Sequence, residues 1–445
     1  MTRRLAVIGG DAGGMAAAAQ ARRTDPTLEI VAFEKGDWTS YSACGIPYVV
    51  GGSVDALDRL VARTPQEHRD KSLIDVRTRH EVTAIDVDAR KLEVRDHAHS
   101  RTIQVPFDDL MLGMGALPVR PDLPGIDLPA VHGVQTLDDA AHLLHHAESN
   151  DCRNVVVVGG GYIGLELAEA FIERRARVTV LEAGPHVLAP LDADMARPVE
   201  DAMRRLGIDL RVATPANGFA ERIVQTDDGP ILADLIILGL GVVPNTAILE
   251  GTGIELGVRD AVKVDRRQRT NVDGVWAAGD CSESYHLVSG RPVHVPLGTL
   301  ANKQARVAGI NIGGGYATLP GVLGTAITKI CSTEIGRTGL NEHEATEAGF
   351  DFVVADIEGT TAASYIPDAP PIRVKLLVEK KSGRVLGAQI VGGRGAAKRI
   401  DVVATAITAG FDAQQLVDVD FGYAPPMSPL WDPIAVAARR ALTLL

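Results

Sequence analysis

One thiol in this sequence stands where it could do chemistry. Cys44 lies at the centre of TSYSACGIPY, residues 39 to 48, followed by Gly45 and Pro47. The next cysteine is Cys152. A lone thiol of this kind is either a small packing residue or a reactive atom, and as a thiolate it would attack a disulfide or be oxidised to a sulfenic acid. The four cysteines, Cys44, Cys152, Cys281 and Cys331, are too widely spaced for a structural metal signature or a disulfide scaffold. In a reducing compartment the other three read as buried free thiols.

A redox thiol needs a source of electrons, and the elements around it supply a candidate twice. RLAVIGGDAGGMAAAAQARR and NVVVVGGGYIGLELAEAFIERRARVTVLEA each read as an apolar strand, a glycine turn, a helix and a second strand that ends in an acid. The second copy is complete: Gly159, Gly161 and Gly164 fit G-x-G-x-x-G, and Glu182 closes the next strand. The glycines permit a tight turn and close approach to a pyrophosphate, the helix start meets its charge, and the acid accepts from an adenosine ribose. In the first copy Gly9 and Gly14 hold the outer positions beside Gly10 and Gly13, Glu34 supplies the acid, and Asp11 stands where the middle glycine is expected.

Two dinucleotide sites imply two cofactors, one held and one exchanging. Residues 270 to 280, TNVDGVWAAGD, resemble the signature of FAD-dependent pyridine nucleotide oxidoreductases, whose final aspartate binds the ribityl chain. That resemblance assigns FAD to the first copy, with Asp280, and the nicotinamide cofactor to the second. After Glu182 comes AGPHV, with no nearby cation for a 2′-phosphate, so NADH is favoured over NADPH.

These motifs fix an α/β fold of three units. Two Rossmann-like domains are expected, FAD-binding over 1–113 and 244–323 and NAD(P)H-binding over 114–243, with an α+β dimerisation domain over 324–445. In the last, IRVKLLVEKKSGRVLGAQIVGG reads as a hairpin, IDVVATAITAG as a helix, and IAVAARRALTLL as a terminal helix after a proline-broken segment. The length of 445 residues exceeds what one core supports. With 45 basic and 57 acidic residues the net charge is −12, which argues against nucleic acid as a ligand. The opening MTRRLAVIGG is too short in its apolar run for a signal peptide and no long apolar span follows, so a cytoplasmic protein without membrane contact is expected.

Over nearly the whole chain the motifs resemble the single-cysteine branch of the pyridine nucleotide disulfide oxidoreductases, which includes coenzyme A disulfide reductases, persulfide reductases, NADH oxidases and NADH peroxidases. SYSACGIPYVVGG, with Pro47 and Tyr48, looks most like the coenzyme A disulfide reductase version. Paired-cysteine relatives use C-x-x-x-x-C, and here the second place is Val49. The resemblance therefore implies that Cys44 forms its oxidised bond with an outside partner: a small thiol such as coenzyme A, or oxygen or peroxide. It further implies that Tyr365 and Tyr423 project into the active site of the other subunit of a homodimer, where a phenol donates to a departing thiolate. Tyr162 matches the residue that gates the flavin face. Arg22, Arg23 and Ser40 are the candidate substrate-binding residues, and no metal site is expected. One departure stands out: Ala43 replaces an asparagine common before the redox cysteine. The implied activity is NADH-driven reduction of a small disulfide or persulfide. The rivals are an NADH oxidase and a flavin-bound redox sensor with little turnover.

Overall fold

The strand Arg4–Ile8 is buried along almost its whole length because both its faces are covered, which is why it reads as an unbroken apolar run. In the computed structural model, which describes residues 2–150 and 152–445, it pairs in parallel with Glu29–Phe33 and Asp109–Leu112. Asp75–Arg77 and Val275–Ala277 complete a five-stranded sheet. The last of these strands returns from far along the chain, so the first unit is discontinuous in sequence. The helix Ala12–Thr24 covers the sheet and is crossed by the helix Gly298–Ile312. Gly309 permits that crossing, since a Cβ there would lie 2.5 Å from the Ala17 carbonyl oxygen.

The second unit repeats the plan. Asn154–Val158 sits between Arg177–Leu181 and Leu235–Leu238, with Asp209–Arg211 and Val131–Gly133 at the edges, all parallel. Where the chain passes between the two units, Ala116–Pro118 and Val242–Pro244 pair antiparallel.

The third unit is an antiparallel sheet in the order Ala326–Ile330, Thr333–Gly339, Val385–Gly392, Pro371–Glu379, Phe352–Thr360. The expected hairpin is present between the strands Pro371–Glu379 and Val385–Gly392. The helix Ile400–Ala409 ends at Gly410, whose φ of 76° is the left-handed cap that glycine adopts without a Cβ penalty. Pro433–Leu442 forms the terminal helix, capped by the Asp432 carboxylate accepting from Ile434 N–H.

The second and third units are joined by a dense polar contact. Lys375, almost fully buried, places its ammonium 2.6 Å from Asp194, 2.6 Å from Glu342 and 3.3 Å from Asp192. Gln389 donates to Asp192 at 2.6 Å and accepts from the Asp192 N–H at 2.8 Å. Among the described residues no helix is long and apolar enough to cross a membrane.

Candidate active site

The residues from Ser42 to Val50 fold into a one-turn 3₁₀ segment, Ala43–Gly45, continued by the short helix Ile46–Val50. Ile46, Pro47, Val49 and Val50 are buried and anchor the helix, which leaves Tyr48 as its exposed side chain, with Cys44 exposed on the 3₁₀ turn before it. Val49, at the position of a second thiol in paired-cysteine relatives, packs inward. Although exposed at the surface, the Cys44 sulfur has enough protein around it that burial raises its pKa, with Glu166, Asp280 and Asp11 adding to the rise as nearby negative charges. The start of the short helix does not reverse this. At neutral pH the chain alone keeps Cys44 as a thiol.

The two glycine turns hold their acids identically. Glu34 accepts from Gly10 N–H at 2.8 Å and from Gly36 N–H at 2.8 Å. Glu182 accepts from Gly160 N–H at 2.7 Å and from Gly184 N–H at 2.6 Å. Gly9 (φ 106°) and Gly159 (φ 110°) need to be glycine twice over, for the backbone angle and because a Cβ would lie 2.0 Å from Gly113 O or 2.4 Å from Gly239 O. Gly14 and Gly164 likewise each sit over a turn carbonyl at 2.0 and 2.1 Å. Gly161 differs: the nearest atom to a Cβ there is Gly239 O at 3.7 Å, so its face is open where a pyrophosphate would approach.

These features fit the two cofactors. In the first unit Asp280 follows Gly279 with its carboxylate making no hydrogen bond to another described residue, and burial alone pushes its pKa to about 6. A half-buried acceptor without a protein donor suits a polyhydroxyl chain such as the ribityl of FAD. Asp11 also sits near 6, raised chiefly by burial and then by the charges of Glu34 and Asp280, although it accepts from Tyr41 N–H at 3.0 Å. In the second unit Tyr162 starts the helix Tyr162–Glu173, and its hydroxyl is buried without a partner. Glu166, one turn on, is raised by burial and accepts from the Thr328 hydroxyl at 2.8 Å.

The remaining candidates separate. Tyr365 and Tyr423 are neighbours in the third unit, at 70% and 49% exposure, and the nearness of Tyr423 raises the Tyr365 pKa. Ser40 has a φ of 49° and its hydroxyl lies 2.9 Å from His68 Nε2. The Arg22 guanidinium is committed to the carbonyls of Pro26, Ser72 and Leu73, where it fastens the end of a neighbouring helix. Arg23 bonds only to Gln20 on its own helix and stays exposed, which leaves it the freer of the two cations for an anionic ligand. Glu166 carries no motif signal in the sequence, and only the fold brings its charge near Cys44.

The chain matches the family model "Pyridine nucleotide-disulphide oxidoreductase" over residues 3–304 and its dimerisation domain over 325–433. It is 37% identical over 441 residues to an NAD(P)H sulfur oxidoreductase (CoA-dependent) of Pyrococcus furiosus, covering 98% of both chains. It is 34% identical over 452 residues to an NADH oxidase of Methanocaldococcus jannaschii, covering 99% of both. The fold superimposes on reduced Bacillus anthracis CoADR-RHD with a TM-score of 0.97 at 31% identity, covering 100% of this chain and 81% of that one. With both cofactor turns, the dimerisation sheet and Cys44 accounted for, this chain belongs to the pyridine nucleotide-disulphide oxidoreductase family, whose members use FAD and NAD(P)H.

Proposed function

We propose that the protein is a homodimeric flavoenzyme that oxidises NADH in preference to NADPH and reduces coenzyme A disulfide, or a related small-thiol disulfide or persulfide, through Cys44. The observation that carries this reading is the presentation of Cys44: exposed on a 3₁₀ turn that leads into a helix anchored by buried residues, with an apolar Val49 where an internal disulfide partner would be. Its oxidised bond must then be to an external sulfur or oxygen atom.

FAD, when bound at Glu34 and Asp280, would pass the two electrons of NADH to the Cys44 disulfide. Those electrons break the bond between Cys44 and the small thiol, releasing the thiol and leaving the Cys44 thiolate. The thiolate attacks the next disulfide, re-forming the mixed disulfide and expelling a second thiolate. Tyr423, aided by Tyr365, donates the proton that this leaving group takes up. The sum is one NADH and one proton consumed for two thiols formed. The tyrosines belong to an exposed apolar stretch with Met427, Leu430 and Trp431, a surface suited to a second copy of the chain. The preference for NADH follows from Glu182, whose carboxylate is held by two backbone N–H groups where a 2′-phosphate would bring like charge.

A second reading, oxygen reduction through a Cys44 sulfenic acid, is favoured by the NADH oxidase of Methanocaldococcus jannaschii among the relatives and by Ala43. The test is NADH consumption measured anaerobically with coenzyme A disulfide, against NADH consumption in air without disulfide. Faster anaerobic turnover supports the proposal. Turnover confined to air establishes the oxidase reading instead.

A further inference from the structure

Helix Gly298–Ile312 buries one polar side chain completely. Gln304 is 0% exposed, and both its amide oxygen and its amide nitrogen are hydrogen-bonded. Its Oε1 accepts from Gly279 N–H at 2.9 Å, while its Nε2 donates to Glu283 O at 3.1 Å. One side chain therefore bridges the residue before Asp280 and the residues just after it. The same turn is closed by Ser282 N–H and Oγ, which both donate to Gly279 O at 2.9 and 3.0 Å. On the other side His294 places Nε2 2.8 Å from Asp280 O. Gly279 has a φ of 84°, so the turn is one that an unsupported chain would not hold at a non-glycine residue. Everything in it is fastened except the Asp280 carboxylate.

We infer that Gln304 is a positioning residue for the flavin site: its buried amide fixes the Gly279–Glu283 turn so that the Asp280 carboxylate points, unpaired, at the FAD ribityl. The inference rests on the FAD reading of Asp280. A generic core amide would serve only to fill space and to satisfy two backbone groups. Gln304 does this at the two ends of one functional residue, from a helix whose position is itself fixed by the Gly309 crossing with Ala12–Thr24. A buried hydrogen-bonded amide costs most when one of its backbone partners is left unsatisfied.

The experiment is a double-mutant cycle on FAD affinity, read by fluorescence quenching on titrating apoprotein with FAD, together with thermal melting of each apoprotein. Gln304→Leu is expected to weaken FAD binding by roughly 10- to 100-fold. In an Asp280→Ala background the same change is expected to alter affinity by less than about twofold, because its effect is transmitted through Asp280. Gln304→Glu, which keeps the acceptor for Gly279 N–H and loses the donor to Glu283 O, should fall between. It also runs the cycle if the leucine variant does not fold. Full additivity in the double variant, with losses multiplying, would overturn the role of Gln304 and leave the FAD reading standing. An unchanged FAD affinity in Asp280→Ala alone would overturn the reading of the turn itself.

Discussion

The two dinucleotide units agree down to individual backbone hydrogen bonds, which makes their few differences informative. Gly10 O accepts from Ser40 N–H at 2.9 Å, and Gly160 O from Leu188 N–H at 2.8 Å. Ser40 and Leu188 each lie six residues after the acid, with φ of 49° and 51°. Glu34 and Glu182 donate their N–H groups to Arg77 O and Arg211 O, both at 2.9 Å. Beyond this shared frame the units diverge. The first places a half-buried carboxylate, Asp11, at the middle of its turn and ties it to Tyr41, three residues before Cys44. The second leaves that position open at Gly161, and its chain runs from Leu188 to Asp192 and Asp194, which the dimerisation unit grips through Lys375. One turn is tied to the segment that carries Cys44, and the other to the scaffold. This difference is what a retained cofactor and an exchanging one would require.

Breaking the shared frame should have the largest effect. Gly9→Ala introduces a Cβ 2.0 Å from Gly113 O at a φ of 106°, and is expected to cost more than about 4 kcal/mol, seen as loss of a folded apoprotein in urea titration. Lys375→Met removes the cation among three carboxylates and should cost about 3 kcal/mol, separating the melting of the second and third units from that of the first. The next effect belongs to the first turn alone. Asp11 titrates near 6 in the folded chain against an ordinary 3.8, so the folded state holds the extra proton between those values. The contribution of Asp11 to stability is therefore greatest below about pH 4, falls as pH rises to about 6, and is constant above that. Asp11→Asn should cancel this fall, a difference on the order of 2 kcal/mol between the urea midpoints of apoprotein and variant followed from pH 4 to 7. The smallest change in stability is expected for Gly161→Ala, under about 0.5 kcal/mol, because the added methyl meets open space. Its effect should appear instead as weaker NADH binding, and normal binding there would remove the contrast between the turns.

The repeated turns, their acids and the hairpin of the third unit were legible because each is local: a spacing of glycines, an alternation, a Ser-Gly turn. Ser40 and Leu188 were not recognisable as equivalents, since the shared feature is a backbone angle and a carbonyl contact that quite different side chains can adopt. Arg22 stands in the sequence as a candidate substrate-binding cation, and only folding brings the Ser72 and Leu73 carbonyls to it. The Lys375 clamp and the Gln304 bridge join residues far apart in the chain, and neither carries a period or motif. The rise in the Cys44 pKa is of the same kind, because it arises first from burial in the folded chain and then from Glu166, Asp280 and Asp11, which come from three separate segments.

Cys44 remains the centre of the account, and the most direct test of it is Cys44→Ser in the FAD-loaded protein. Anaerobic NADH oxidation with coenzyme A disulfide is measured alongside flavin content and NADH binding. The account predicts that turnover falls by about 1,000-fold or more while both cofactors bind as before, because the serine hydroxyl neither attacks a disulfide nor forms one. Turnover within a few-fold of the native enzyme would contradict it and move the chemistry away from this thiol.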